Sequence, residues 1–265
     1  MTGRSFLSRQ EHFPLVESTN DVVRGWLADG TPEVCLAVAD EQSAGRGREG
    51  RSWQAPSGAA LLASLGFRPT WLPAEQAWRL AAITSLAMAE AAEEVAELKA
   101  GTIRLKWPND LIVEREGRPL KVAGVLGETD GLGSADPRVV VGIGINADWA
   151  AADFPAELRT SMTSLRETGG GRPIDRTRLL AAFTHRLETR VEALREGRFD
   201  AAGWAGRQAT TGRTVTIETP GGRREEAAAI EVDPATGALI VAGSDGSDRS
   251  IVSAEIVHVR LVGGV

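Results

Sequence analysis

The chain has 265 residues, 42% hydrophobic and 25% charged, with a net charge of −6; that is the composition of a folded protein of one large or two smaller domains, and its acidity argues against general nucleic-acid binding, which needs a basic surface. No apolar run approaches the roughly 18 residues of a membrane span, and the start lacks the apolar centre of a signal peptide. One cysteine, Cys35, excludes an internal disulfide and a Cys-rich metal site, so the expectation is a cytoplasmic protein with no membrane partner.

In chain order, "ESTNDVVRGWLADG" offers Ser18, Thr19 and Asn20 as candidate caps, Val22, Val23, Trp26 and Leu27 at helical spacing, and Gly30 as a stop. This predicts a short amphipathic helix. "CLAVADEQ" and "AALLASLGFRP" read as strands on either side of a glycine-rich loop. From Pro73 to about Glu97 the chain is Ala-rich without internal Gly, which predicts a long packed helix. "TIRLKWPNDLIV" and "LKVAGVLGET" flank the charged turn "REGRP" as a β-hairpin, and "PRVVVGIGINADW" predicts a buried strand that breaks at its glycines. A second long helix is expected over about Arg176 to Glu196, with Leu179, Leu180, Phe183, Leu187 and Val191 on one face. After Gly206, "RTVTIET", "AAAIEV", "GALIVAG" and "RSIVSAEIVHVRL" alternate with turn residues, as in a small all-β barrel of about 50 residues.

The loop between the first two strands, "SAGRGREGRSW", contains a nominal G-x-G-x-x-G at Gly45, Gly47 and Gly50. A dinucleotide fingerprint needs a helix to open directly after the last glycine, so that its N-terminus faces the pyrophosphate. Here Pro56, Gly58 and strand-like sequence follow. Arg46, Arg48 and Arg51 spaced by glycines instead suit a loop that grips carboxylate or phosphate oxygens. Trp53 at its edge is either a stacking face or core.

Further polar islands interrupt apolar sequence. "KWPND" places Lys106, Asn109 and Asp110 between strand-like segments, as a turn or as part of a site. Lys121 opens an otherwise apolar or glycine segment; it either snorkels or pairs with anions. Asn146 ends "GIGIN", reading an adenine edge or closing a turn. His12, His185 and His258 show no metal-ligand spacing, and no nucleophile elbow or P-loop lysine occurs.

Taken in order, "STN", "EQSAGRGREGRSW", "KWPNDL", "KVAGVLGE" and "GIGIN" closely resemble the biotin protein ligase family, from about residue 14 to the end. The resemblance implies an α+β fold: a mixed β-sheet with flanking helices, class II synthetase-like, over residues 1–208, and an SH3-like β-barrel over 209–265. It also implies a two-step activity. Biotin and ATP form biotinyl-5′-AMP and pyrophosphate, and a lysine of a biotin carboxyl carrier protein, as in acetyl-CoA carboxylase, then takes the biotin.

Carried over by motif, Ser18, Thr19, Asn20 and Gln42 line the ureido pocket, with the backbone of Arg46 and Gly124 closing it and Gly47 shaping the loop. Arg48 and Arg51 hold phosphate oxygens, and Trp53 packs on the adenylate side. Lys121 lies between biotin carboxylate and α-phosphate, and Asn146 contacts adenine. Lys106, Asn109 and Asp110 sit near the phosphates and a magnesium ion that ATP carries; Asp110 is also a candidate base for the acceptor lysine. With "STN" starting at residue 18 there is no room for a DNA-binding domain, so a ligase without repressor function is expected. Glu49, in the loop's variable slot, departs from a purely cationic grip. Lipoate or octanoate ligation and a non-catalytic biotin sensor are the competing classes, and whether the chain forms a homodimer stays open.

Overall fold

The computed structural model describes residues 5–243, 247–252 and 258–261. Its centre is a mixed sheet built from β1 (Arg9–Val16), β2 (Cys35–Gln42), β3 (Ala60–Phe67), β4 (Ile103–Lys106), β5 (Asp110–Arg115), β6 (Arg118–Asp130) and β7 (Arg138–Asn146). The seven strands lie in the order β1-β2-β3-β7-β6-β5-β4. Only β1 and β2 run parallel; the other neighbours are antiparallel.

Strand alternation sorts the side chains of this sheet onto two faces. Val34, Leu36 and Val38 point into the main core, while Cys35 and Ala37 point to the opposite face. Against the main-core face lie two helices, α2 (Trp78–Val95) and α4 (Arg176–Arg195). Phe183, Leu187 and Val191 of α4 are fully buried there, each contributing about 2 kcal/mol of hydrophobic stabilisation. The side chain of Asp175 caps α4 by accepting from the amides of Thr177 and Arg178. On the other face a shorter helix, α1 (Thr19–Ala28), packs Val23, Trp26 and Leu27 on Cys35, Ala37 and Val140.

Two short helices, α3 (Leu165–Thr168) and α5 (Ala201–Gly206), precede the C-terminal strands β8 (Thr214–Glu218), β9 (Arg224–Val232), β10 (Leu239–Ala242), β11 (Asp248–Ile251) and β12 (His258–Leu261). These form an antiparallel five-stranded sheet in the order β11-β10-β9-β8-β12. The predicted last strand divides between β11 and β12, and residues 253–257 lie outside the described residues. The segment leading into this sheet is tied to β4. The Leu105 amide donates to Arg207 O (2.8 Å), and Leu105 O accepts from the Ala209 amide (2.7 Å). Next along, the Trp107 indole N–H donates to Gly237 O at 2.9 Å.

Three expectations are corrected. β1 was not foreseen, because Pro14 and alternating exposure in "RQEHFPLV" hide an edge strand, the place where proline is tolerated. The short helices α3 and α5 also went unread. Finally, β7 does not break at its glycines: it pairs continuously with β3 and β6 through Gly142 and Gly144. Those residues are extended, and their missing side chains serve close approach.

Candidate active site

The site lies on the α1 face of the sheet, and the glycines make room for it. Because Val141, Ile143 and Ile145 point to the main core, Gly142 and Gly144 fall on the opposite face. A Cβ on Gly142 would collide with Asn20 Oδ1. One on Gly144 would stand 2.7 Å from the Trp53 indole, and one on Gly124 would be 3.2 Å from the same ring. Three bare backbone positions thus form the floor on which Asn20 and Trp53 rest.

Lys121 reaches this face through an irregularity. In a regular strand, residues 121 and 124 would point to opposite faces. Ala123 pairs with Leu111 but Lys121 with Ile112, so Val122 is an extra residue and the bulge resets the alternation. The Lys121 ammonium accordingly lies 3.1 Å from where a Gly124 Cβ would be. It is 5.4 Å from the Trp53 ring centre, within cation–π range.

One end of the cleft is polar and neutral. Ser18 is the N-cap residue of α1, yet its side chain makes no capping hydrogen bond. The Thr19 amide and hydroxyl both donate to Gln42 Oε1, at 2.7 and 2.9 Å. Ser64 Oγ lies 2.7 Å from Thr19 Oγ1 and 2.6 Å from Asn20 Oδ1. Ser18, Thr19 and Asn20 are each under 5% exposed, so their polarity is not spent on solvent. Gly142→Ala is expected to raise KM for the ligand of this end about 100-fold, the scale of a 1 Å misplacement, while KM for the ligand of the charged end stays near wild type. Initial rates against each substrate check this.

The other end is charged. Asp110 Oδ1 pairs with Lys121 Nζ at 2.6 Å and Oδ2 with Lys106 Nζ at 3.4 Å. Lys106 is 8% exposed, and burial pushes its ammonium below the ordinary lysine value, opposed by the Asp110 charge. Burial on its own would raise the Asp110 carboxyl. The two lysines outweigh it and hold the group below the ordinary 3.8. The turn carrying these groups is clamped to β6 by the Asn109 amide donating to Val125 O (2.9 Å) and by the Val125 amide donating to Asn109 O (2.9 Å).

A folded-state value below the unfolded one means that ionised Asp110 stabilises the protein above the unfolded pKa of about 3.9, a contribution lost as pH falls through the folded value. Asp110→Asn is therefore expected to cost roughly 3 kcal/mol near pH 7, where it leaves two ammonium groups uncompensated. The cost should shrink as pH falls below the unfolded value of about 3.9, and urea melts across an acid pH series measure the trend.

The arginine loop lies over the cleft. It folds back on itself, with the Gly47 amide donating to Arg51 O (2.6 Å) and the Trp53 amide to Gly45 O (2.8 Å). Strand β3, not a helix, follows it, as the failed dinucleotide pattern required. Arg46 turns outward and pairs with both Asp21 oxygens, at 2.6 and 2.8 Å. That hydrogen bonding, opposed by burial, holds the Asp21 carboxyl below its ordinary range. Arg48 is half-buried, and burial pushes its guanidinium down from the usual value while the Glu49 charge raises it.

Ser18, Thr19, Asn20, Gln42, Arg46, Gly47, Arg48, Arg51, Trp53, Lys106, Asn109, Asp110, Lys121 and Gly124 therefore line one cleft. Asn146 stands apart from that lining. It is fully buried and donates to Thr163 O at 3.0 Å, and its Oδ1 has no partner among the described residues. Sequence reasoning missed Ser64, Gly142 and Gly144, whose apolar or glycine surroundings carry no polar pattern. It named Glu128 only as the end of a motif. Cys35 is buried in β2, and burial pushes its thiol up to about 11, far from a nucleophile's range.

Among the described residues no three His, Cys, Asp or Glu side chains converge to hold a metal. Asp110 is engaged by two ammonium groups, a poor donor set for a protein-held cation. No helix among the described residues is long and apolar enough to cross a membrane.

Comparison with known proteins agrees with this arrangement. The chain is 33% identical over 248 residues, 92% of its length and 86% of the other, to a biotin–[acetyl-CoA-carboxylase] ligase of Mycobacterium tuberculosis. Its fold superposes with a TM-score of 0.78 on biotin protein ligase from Aquifex aeolicus in complex with biotin and ATP, at 26% identity, covering 96% of this chain and 99% of that one. The Leishmania major biotin protein ligase in complex with biotinyl-5-AMP matches with a TM-score of 0.64 and 26% identity, over 92% of this chain and 99% of that one. Residues 12–146 match the Biotin/lipoate A/B protein ligase family, and with a polar pocket, a lysine–aspartate–lysine cluster and an arginine loop meeting in one cleft, the chain belongs to that family.

Proposed function

We propose that the protein attaches biotin to a lysine of a carrier protein in two steps, through biotinyl-5′-AMP. The observation that carries this reading is a neutral polar pocket and a triply cationic region, Lys121, Lys106 and Arg48, facing one another in the same cleft. A neutral head group with a carboxylate tail and a polyphosphate fit those two ends. The name of the Mycobacterium relative points to a biotin carboxyl carrier of acetyl-CoA carboxylase as acceptor.

In the first step a biotin carboxylate oxygen attacks the α-phosphorus of ATP, the new O–P bond forms, and pyrophosphate leaves. Two anions must meet, and fixed cations relieve their repulsion without reorganising at the moment of reaction. Lys121, oriented by Asp110, is placed to contact both; Arg48 and Arg51 hold phosphate oxygens, and Lys106 adds charge behind them. A magnesium ion, carried by the ATP phosphates, would neutralise the departing pyrophosphate.

In the second step the carrier lysine loses a proton to solvent, its neutral amine attacks the acyl carbon, AMP leaves with the bridging oxygen, and the remaining surplus proton is released as the amide forms. Asp110, kept ionised by two lysines, is a weak base; it suits docking the incoming ammonium better than deprotonating it. Residues 1–208 carry this chemistry and residues 209–265 the C-terminal sheet that braces it. ATP dependence fits a cytoplasmic setting.

The test is ATP–pyrophosphate exchange by the purified protein with magnesium, comparing biotin, lipoate, octanoate and no acid. Exchange with biotin alone is expected. Exchange with lipoate or octanoate transfers the protein to that branch of the family. Biotin binding without exchange makes it a sensor.

A further inference from the structure

Glu128 closes the motif "KVAGVLGE" and has no part in the chemistry above, yet three cationic or polar groups converge on it. Asn20 Nδ2 and Arg24 Nη2 both donate to its Oε2 at 2.7 Å, and Arg46 Nη2 of the loop lies 3.6 Å from Oε1. Resting on the biotin reading, we infer that Glu128 is a specificity-determining positioning residue, which fixes which end of the Asn20 amide faces the ligand.

A primary amide has two ends of nearly equal size and opposite hydrogen-bonding character. A site that recognises a ureido group, with one acceptor oxygen and two N–H donors, needs the Asn20 amide held one way round. Its other polar neighbour cannot decide. Thr19 gives its only hydroxyl hydrogen to Gln42 Oε1, so it has none left for Ser64. The single hydrogen of Ser64 goes either to Thr19 or to Asn20 Oδ1, at 2.7 and 2.6 Å. A hydroxyl both donates and accepts, so Ser64 tolerates either amide orientation. An ionised carboxylate only accepts. Glu128 therefore admits the NH2 end of Asn20 and rejects the oxygen end, which leaves Oδ1 toward Ser64 and over Gly142.

Arg24 strengthens the selection. It pairs with Glu128 and also with Asp21 at 2.6 Å, so the carboxylate oxygen that accepts from Asn20 is held in place from a second side. Asp21 in turn holds Arg46 of the loop. The residue that orients ureido recognition thus belongs to the same charged cluster that fastens the loop over the cleft.

The test compares wild type, E128A, E128Q, N20A and N20A/E128A in biotin-dependent ATP–pyrophosphate exchange, with thermal melts of each as a folding check. E128A is expected to raise KM for biotin at least 10-fold with kcat and KM for ATP within about 3-fold, because an amide free to turn presents the wrong group part of the time. In E128Q the Arg24 guanidinium, which only donates, holds the new amide's oxygen in the place it shares with Asn20, so KM for biotin is expected to return to within about 3-fold of wild type. In the N20A background E128A should add less than about 2-fold, the non-additivity expected when one residue acts through another. An unchanged KM in E128A, equal damage in E128Q and E128A, or additive effects in the double variant would each overturn the role while leaving biotin ligation intact. Wild-type protein without biotin-dependent exchange would overturn the functional reading and this role with it.

Discussion

Lys121→Ala is expected to lower kcat for biotin-dependent ATP–pyrophosphate exchange by roughly 100- to 1,000-fold, the usual effect of removing one preorganised charge from a developing anion. The geometry makes the loss specific to the chemical step. Lys121 stands on the bare floor beside Gly124, 2.6 Å from the carboxylate that orients it, whereas the neutral pocket is built from α1, β2 and β3. KM for biotin should rise by a smaller factor than kcat falls, because Lys121 meets only the carboxylate end of biotin. The fold should survive, because Asp110 retains Lys106 as a counter-ion. Pre-steady-state measurement of adenylate formation separates this from slow product release, and exchange within about 3-fold of wild type would count against the assignment.

Arg48→Gly should act on retention. An arginine keeps its charge even where burial opposes it, and its contacts to a phosphate are worth about 1.5–3 kcal/mol each. Loss of one such contact predicts escape of biotinyl-AMP about 10- to 100-fold faster. The expected result is reduced transfer to carrier together with biotin on the surface lysines of bystander proteins such as serum albumin. Streptavidin blots of such mixtures read it directly; retention equal to wild type would remove Arg48 from the phosphate grip.

Much of this cleft was legible because polar side chains within apolar runs need a reason to be there. Lys106, Asn109, Asp110 and Lys121 stand out on that ground and line the cleft, while Asn146, equally marked, lies apart from it; Ser18, Thr19 and Asn20 read as helix caps and join the site through the resemblance. The two long helices were equally readable, since their apolar spacing is a local property. What escaped was set by partners distant in the chain. Asn20 and Glu128 are 108 positions apart, and Asn20 and Ser64 are 44 apart, so nothing local marks them as neighbours. Gly142 and Gly144 read as breakers, because a glycine in a strand signals either interruption or close approach, and only the packed side chain above it tells which. The bulge at Val122, which turns Lys121 into the cleft, leaves no sequence mark at all.

The backbone of Leu105 is held on both sides by Arg207 and Ala209, and the next residue is Lys106. The segment leading into β8 and the β9–β10 connection at Gly237 therefore hold the residues on either side of Lys106. A shift of that segment is a pull on the backbone that carries the buried Lys106 ammonium group.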